Sequence, residues 1–210
     1  QNAILMPLRA TPTHPPADWV ARLKTSFGDL GALKIYIGVD ADDALWEGEH
    51  RAEAERLIKF SEVKTLPGLS RGAVCGIWDQ LAQRAVSDGC NGLLVLFGDD
   101  VTYCGDAQWL DDVWEEMSPD SLFQPTDAHD PSCCTFPIVS AAHVTIFNCL
   151  LPDAFVNQGG DPFLQEIYRR AGTVRYTTYK GPVIVKNARG GPVKGWPGMP
   201  DGPMPQYTKR

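Results

Sequence analysis

Two adjacent carboxylates follow the most apolar run of the sequence. The segment LLVLFGDDVTY places Asp99 and Asp100 directly after a buried strand pattern. A pair of partly desolvated carboxylates needs a cation to stay ionised. Carboxylate oxygens suit Mg²⁺ or Mn²⁺, which commonly bind one or two carboxylates and complete their shell with water and phosphate oxygens. The pattern indicates a nucleotide diphosphate site, whereas the simpler alternative is that both residues cap a turn or the next helix.

Three further positions offer groups that could bind a nucleotide. Pro7, Leu8 and Arg9 end the first apolar run and could present backbone amides and a cation. Asp40 ends the run KIYIGVD and could accept a hydrogen bond from a uracil N–H or a ribose hydroxyl. Arg71 lies in the turn PGLSRG before a helix, where a guanidinium and free helix N–H groups favour phosphate or base contact.

Two of these positions also have a simpler interpretation. Arg9 could form a surface ion pair, and Arg71 an ion pair at a helix start. Asp42 and Asp43 follow Asp40 in the same loop and are expected to be solvated.

Hydrophobic spacing predicts the elements that position these residues. It predicts strands at 3–8, 34–40, 63–66, 92–97, 136–147 and 174–178, and helices at 18–27, 47–60, 73–87, 106–117 and 161–171. Alternating strands and helices in the first half predict a mostly parallel sheet with helices on both faces. Ligands bind such sheets at the carboxyl ends of the strands, where Arg9, Asp40 and Asp99 would lie.

Composition limits the classes of function. The chain has 210 residues, of which 43% are hydrophobic and 21% charged, so it can form one α/β domain with a sizeable core. A net charge of −7 argues against a protein that coats nucleic acid. Six cysteines without a CxxC pair predict mostly free thiols. No apolar run is long enough to span a membrane, which predicts a soluble domain and favours the cytoplasm.

The order MPLR, IYIGVDADD, LPGLSRGAVCGIWDQLAQRA, LLVLFGDDV and NQGGDPFLQEIYRRAG resembles the GT-A fold nucleotide-sugar glycosyltransferases. More narrowly, it resembles the capsid-glycan glycosyltransferase domain of large algal viruses. The resemblance implies a UDP-sugar donor, Mn²⁺ or Mg²⁺, and a glycan or glycoprotein acceptor. GDDV stands where the family carries its DxD motif. Its variant form implies Asp100 as the direct metal ligand and Asp99 as a ribose or water-mediated partner.

The resemblance also implies a domain over residues 1–188, with a nucleotide-binding half at 1–104 and an acceptor half at 105–188. Asp161 precedes a helix and would act as general base in an inverting enzyme, whereas its simpler role is a helix cap. Amides of Asn157, Gln158 and Gly160 could bind sugar hydroxyls, or they could form an ordinary loop. His143, expected on a strand, is either a core residue or part of the acceptor wall.

The end of the chain is rich in Pro and Gly, and residues 189–210 are expected to form an arm or linker. Lys186 and Arg189 could neutralise the leaving diphosphate, or they could belong to a solvated basic tail. Two other functions stay open. A nucleotidyltransferase would share the sheet and the carboxylates, but the opening MPLRATPTHPP lacks the glycine-rich phosphate loop of that class. A non-catalytic nucleotide- or sugar-binding module would keep the pocket without turnover.

Overall fold

Ten strands and six α-helices make up the described part of the protein. The computed structural model describes residues 1–64, 73–105, 108–131 and 134–187. The strands are β1 (Ala3–Leu8), β2 (Lys34–Val39), β3 (Ser61–Lys64), β4 (Leu93–Leu96), β5 (Val101–Cys104), β6 (Leu122–Phe123), β7 (Thr126–Asp127), β8 (Ile138–Ser140), β9 (Val174–Arg175) and β10 (Ile184–Asn187). The helices are α1 (Pro16–Phe27), α2 (Arg51–Leu57), α3 (Val74–Ser87), α4 (Trp109–Glu116), α5 (Ala142–Phe147) and α6 (Gly160–Ala171).

Seven strands form the central sheet in the order β3-β2-β1-β4-β8-β6-β9. β8 runs antiparallel to both of its neighbours, while all the other neighbouring strands in this sheet are parallel. The first three strands lie in the order β1, β2, β3 towards one edge of the sheet. α3 then connects β3 to β4, which pairs with the other side of β1. The strand order therefore reverses between β1 and β4, which is where open α/β sheets form their ligand cleft.

A second, three-stranded sheet has the order β5-β10-β7. β10 pairs antiparallel with β5, so that Lys186 lies opposite Thr102 and Asn187 opposite Val101. The end of the described chain is thereby paired with the strand that follows Asp99 and Asp100. This small sheet supports one side of the cleft.

The two faces of the central sheet are covered by different helices. On one face Ile4 and Met6 of β1 are buried in a cluster with α1 and α2. On the other face Ala3 and Leu5 are buried with α3, α5 and α6. This alternation follows from the two-residue period of a strand. α3 approaches β2 so closely that a Cβ atom at Gly38 would overlap the side chain of Ile77.

The predicted fold class is confirmed: the chain is a single α/β domain with a mostly parallel sheet and helices on both faces. One predicted strand, 136–147, is wrong over its second half, because β8 ends at Ser140 and residues 142–147 form α5. Ser140 pairs with Leu93, the first residue of β4, so the antiparallel strand has no partner beyond that point. The amide of Ala141 makes one last bond to the carbonyl of Gly92, and the chain then turns into a helix.

Other predicted boundaries shift by a few residues. The predicted helix 47–60 begins with a π-helical turn at Trp46–His50 and ends at Leu57. The strand predicted at 174–178 ends at Arg175. The last residues of the predicted strand 63–66, the first of the helix 106–117, and the arm 189–210 lie outside the described residues.

Candidate functional site

Three strands deliver their last residues to one edge of the sheet. In the parallel pairing of β1 and β2, Leu8 lies opposite Val39, so Arg9 and Asp40 leave the sheet side by side. On the other side of β1, Leu5 lies opposite Leu96, and the Phe97 amide donates to the Leu5 carbonyl at 3.0 Å. The turn with Asp99 and Asp100 therefore begins at the same edge.

Asp99 and Asp100 occupy the centre of a tight turn between β4 and β5. The Val101 amide donates to the Gly98 carbonyl at 3.1 Å and closes the turn. Both carboxylates are partly exposed, whereas Phe97 before them is fully buried. A Cβ atom at Gly98 would lie 3.1 Å from Asp100 Oδ1. The turn thus carries two accessible carboxylates on a fixed backbone, which fits a divalent cation that is shared with phosphate oxygens.

A cation at this turn would receive only part of its ligands from the protein. Among the residues that the structure describes, no group of three or more His, Cys, Asp or Glu side chains has an arrangement that could hold a metal ion. Two carboxylates are nevertheless a sufficient protein contribution for Mg²⁺ or Mn²⁺ in a nucleotide site, because phosphate and water supply the remaining oxygens.

Asp43 is buried, contrary to the expectation of a solvated residue. Its Oδ2 accepts from the Ala10 amide at 2.9 Å, and its Oδ1 accepts from the Trp46 amide at 3.0 Å. The Asp43 carboxylate therefore connects the residues after β1 with the helical segment after β2. These two bonds hold in place the loops that carry Arg9 and Asp40. The sequence does contain a signal, since an Asp three residues before a helical turn is a common cap.

Asp161 lies in the first turn of α6. The Phe136 amide donates to its Oδ2 at 3.3 Å, while Oδ1 is buried and has no hydrogen-bond partner among the residues that the structure describes. Burial raises the pKa of Asp161 to about 7, although the Phe136 hydrogen bond acts in the opposite direction. A carboxyl group with a pKa near neutrality can take up or release a proton at physiological pH, as a general base must.

The groups around Asp161 are weak acids. Cys75 of α3 and Tyr103 of β5 both interact electrostatically with Asp161, and burial raises the pKa of Cys75 to about 11 and also raises that of Tyr103. The Cys134 thiol donates to the backbone carbonyl of Asp161 at 3.2 Å. None of these three groups is cationic at neutral pH, so they do not oppose the effect of burial on Asp161.

The loop before α6 packs on the start of α3. The Cys75 amide donates to the Val156 carbonyl at 3.0 Å. Asn157 is partly buried and Gln158 is exposed, and both precede Asp161 by a few residues in the chain. Gly160 is buried: a Cβ atom there would lie 2.8 Å from Leu151 Cδ1. The structure gives Gly160 a packing role, and the acceptor role predicted for it stays untested.

His143 lies on α5 and not on a strand, because β8 ends before it. It is 2% exposed, its Nδ1 hydrogen-bonds the Tyr168 hydroxyl at 2.7 Å, and its Nε2 hydrogen-bonds the Leu150 carbonyl at 3.1 Å. Burial lowers its pKa. Both ring nitrogens are engaged inside the protein, which favours the core role for His143 over a place in the acceptor wall.

The remaining predicted residues fall in three places. Leu8 is buried, and Pro7 carries no N–H, so Arg9 is the exposed group of this strand end. Lys186 is exposed on β10, beside the strand that follows Asp100. Arg71 and Arg189 lie outside the described residues. The sequence prediction missed Tyr103 and Phe136, which nothing in the local pattern marks as special.

No protein-family model matches the sequence, and no curated protein matches it in sequence. Solved structures do share its fold. TarS of Staphylococcus aureus, residues 1–349 in complex with UDP, aligns with a TM-score of 0.61 at 9% identity over 89% of this chain and 60% of its own. The mannosyltransferase PcManGT of Pyrobaculum calidifontis, in complex with GDP-Man and Mn²⁺, aligns with a TM-score of 0.63 at 10% identity over 92% of this chain and 58% of its own.

A third similar structure belongs to another class of enzyme. A putative glucose-1-phosphate thymidylyltransferase from Bacillus anthracis aligns with a TM-score of 0.51 at 9% identity over 87% of this chain and 88% of its own. The likeness to the two glycosyltransferases shows that the chain has a GT-A type fold, as the resemblance implied. The chain spans about three fifths of the TarS 1–349 segment and of PcManGT.

Proposed function

We propose that this domain is a metal-dependent glycosyltransferase that transfers a sugar from a nucleotide sugar to a hydroxyl of a glycan or glycoprotein. The observation that carries the proposal is the convergence of Arg9, Asp40 and the Asp99–Asp100 turn at one sheet edge, at the point where the strand order reverses. Sheets of this kind bind nucleotides at such a crevice.

The donor is proposed to lie along this edge. Arg9 and Asp40 contact the nucleoside, and the diphosphate faces Asp99 and Asp100. Asp100 is proposed as the direct ligand of Mn²⁺ or Mg²⁺, with Asp99 bonded to the ribose or to a metal-bound water. The ion would neutralise the negative charge of the departing nucleoside diphosphate. Lys186, exposed beside β5, adds a positive charge on the same side.

Asp161 is proposed as the general base of an inverting reaction. Its Oδ2 is held by the Phe136 amide, so the unpartnered Oδ1 is the oxygen that takes the proton of the acceptor hydroxyl. Because Oδ1 is buried, the protein atoms that cover it must move when the acceptor binds. Asn157 and Gln158 are proposed to contact the acceptor. In a retaining reaction Asp161 would only position sugars.

UDP is proposed as the nucleotide, with GDP as the nearest rival. TarS was solved in complex with UDP and PcManGT in complex with GDP-Man and Mn²⁺, so both bases are accommodated on this fold. Asp40 is suited to a uracil N–H, because a carboxylate is an acceptor only. Guanine presents N–H donors as well, so the choice of UDP rests on the resemblance stated above, and the nucleotide screen decides between the two.

A thermal-shift screen tests the donor site. UDP, GDP, CDP and TDP are each compared with Mn²⁺ and with EDTA, since a ligand that binds only the native state raises its stability. We expect a stabilising shift for UDP that requires Mn²⁺. No shift with any nucleotide would contradict the proposal. Hydrolysis of UDP-sugars, measured as UDP release, then distinguishes an enzyme from a binding module.

A nucleotidyltransferase is the second candidate, favoured by the thymidylyltransferase of similar fold. Such an enzyme needs a loop of free amides for the triphosphate. Here the segment after β1 contains Pro12, Pro15 and Pro16 and no glycine, and its Thr11 carbonyl is bonded to the His14 amide. Pyrophosphate release from a nucleoside triphosphate and a sugar 1-phosphate would support this candidate instead.

A further inference from the structure

Phe136 has a backbone conformation that its residue type rarely adopts. Its φ is +49°, in the left-handed region. Asn148, the other non-glycine residue with positive φ in the described ranges, ends α5 and is of a type that tolerates this region. A phenylalanine has no such tolerance, and residues held in this conformation persist only where their surroundings fix them.

Two hydrogen bonds fix the Phe136 backbone. Its amide donates to Asp161 Oδ2 at 3.3 Å, and its carbonyl accepts from the Tyr103 hydroxyl at 2.9 Å. The same hydroxyl lies 2.8 Å from the carbonyl of Leu96, the last residue of β4. Tyr103 therefore connects Phe136 to the strand that carries the carboxylate turn.

The Phe136 ring lies beside Gly98, the residue at which that turn begins. A Cβ atom at Gly98 would lie 3.3 Å from the ring and 3.1 Å from Asp100 Oδ1. The ring also packs edge-on against Trp78, with centroids 5.9 Å apart, and the Trp78 indole is fixed by a 3.1 Å bond to the Leu5 carbonyl. Phe136 packs against the apolar clusters of both sheet faces.

We propose that Phe136 is a positioning residue for the transfer reaction: its amide orients Asp161 while its ring supports the Gly98–Asp100 turn, so that one residue fixes the proton-accepting carboxylate relative to the nucleotide-binding carboxylates. This proposal rests on the proposed function. An apolar filler alone would not require a left-handed backbone. With this φ, the amide of Phe136 points to Asp161 and its carbonyl points to Tyr103, which accounts for the unusual backbone.

An NMR titration of the unmodified chain tests the hydrogen bond without any substrate. If the Phe136 amide bonds Asp161, its proton signal moves downfield as the carboxyl ionises. We expect the midpoint near pH 7, because burial raises the pKa of Asp161 to about 7. Asp161→Asn keeps an acceptor oxygen and should abolish this titration. Cys75, Tyr103 and Cys134 also face Asp161, and Asp100 lies near the Phe136 ring, so Cys75→Ser and Asp100→Asn serve as controls that should leave the titration in place. A Phe136 amide that does not titrate, or still titrates in Asp161→Asn, would overturn the proposal.

Two substitutions separate the amide from the ring. Phe136→Gly tolerates the left-handed backbone and loses only the ring. Phe136→Val disfavours the left-handed backbone, so the amide of residue 136 turns away from Asp161. With carboxyl-labelled aspartate, we expect the Asp161 midpoint to stay within about 0.3 pH units in the glycine variant and to rise by about half a unit to one unit in the valine variant. Equal midpoints in both variants would contradict the role of the amide.

The ring is tested through the same labelled samples. The carboxyl signals of Asp99 and Asp100 should shift in Phe136→Gly, because the turn loses its support. Unmoved signals would contradict the role of the ring. If the amide titrates with Asp161 but no nucleotide binds, the proposed function fails and the coupling stands. If UDP binds with Mn²⁺ and the amide does not titrate, the coupling fails and the function stands.

Discussion

The carboxylate of Asp43 accepts a hydrogen bond from the Ala10 amide at 2.9 Å across the space between two strand exits. Its other oxygen accepts from the Trp46 amide at 3.0 Å. The Asp43 side chain is buried, so the bond to Trp46 is shielded from water, and the bond to Ala10 is partly shielded. The loops after β1 and β2 are therefore held together before any ligand binds, and Arg9 and Asp40 are held with them.

Replacing Asp43 by Ala should cost stability. The buried Trp46 amide and the partly buried Ala10 amide lose a charged acceptor, and we expect the free energy of unfolding in urea to fall by about 2 to 3 kcal/mol. Asp42→Ala is the matched control, because Asp42 is the exposed neighbour in the same loop, and its change should stay within about 0.5 kcal/mol. Similar losses in the two variants would show that the Ala10 and Trp46 bonds contribute little.

Asp100→Asn should separate metal binding from folding. The amide keeps the shape of the side chain and removes its charge, so we expect the Mn²⁺-dependent part of UDP binding, measured by titration calorimetry, to be lost. The free energy of unfolding should change by less than about 1 kcal/mol, because Asp100 is partly exposed. Asp42→Asn, at the same sheet edge, should bind UDP like the unmodified protein. Unchanged metal-dependent binding in Asp100→Asn would reject this residue as the ligand.

The sheet was predictable because its strands are short apolar runs bounded by turn residues. β1 and β4 were predicted with end points within a residue or two of the observed ones. The prediction was wrong in the segment 136–147. A run of apolar and β-branched residues looks the same whether it forms one long strand or a short strand followed by a helix. Its strand ends where β4 offers no further partner, a tertiary limit that local spacing does not contain.

The strand-end residues of the candidate site were predictable for the same reason. Arg9, Asp40 and the Asp99–Asp100 pair follow apolar runs, so their shared edge follows from a parallel sheet. Phe136 and Tyr103 were missed, since their roles depend on a backbone angle and on a hydroxyl that reaches across 33 positions of sequence. His143 was misplaced because its strand was predicted too long.

Asp161 should make stability fall as pH rises. Its pKa in the folded protein is about 7, against an ordinary value of 3.8. Between these two pH values the folded state binds more protons than the unfolded state, so the free energy of unfolding decreases with pH. Asp161→Asn removes this titration. We therefore expect the free energy of unfolding of the variant, minus that of the unmodified protein, to increase by about 2 to 4 kcal/mol from pH 4 to pH 7. Above pH 7 this difference should stay constant.

Urea unfolding at pH 4, 5.5, 7 and 8 measures this difference. The same substitution at Asp153, which is exposed on the loop before α6, is the control. Asp153 is only the smallest contribution to the raised pKa of Asp79, so this variant should change the pH dependence far less than Asp161→Asn does. If the free energies of unfolding of Asp161→Asn and of the unmodified protein differ by the same amount at every pH, burial does not raise the pKa of Asp161 to near 7. In activity, the variant should retain UDP affinity and lose transfer, since only the proton acceptor is removed.

Lys186 should contribute to diphosphate binding through charge. It is exposed on β10, and its pairing with Thr102 puts it next to the strand that continues from Asp100. Lys186→Gln should weaken Mn²⁺–UDP binding by about three- to tenfold at low salt, and the difference should shrink as the ionic strength rises, because exposed charges are screened. Lys34→Gln is the control: Lys34 begins β2 and therefore lies at the opposite edge of the sheet. If the two variants bind Mn²⁺–UDP equally well at every salt concentration, the positive charge of Lys186 has no part in the donor site.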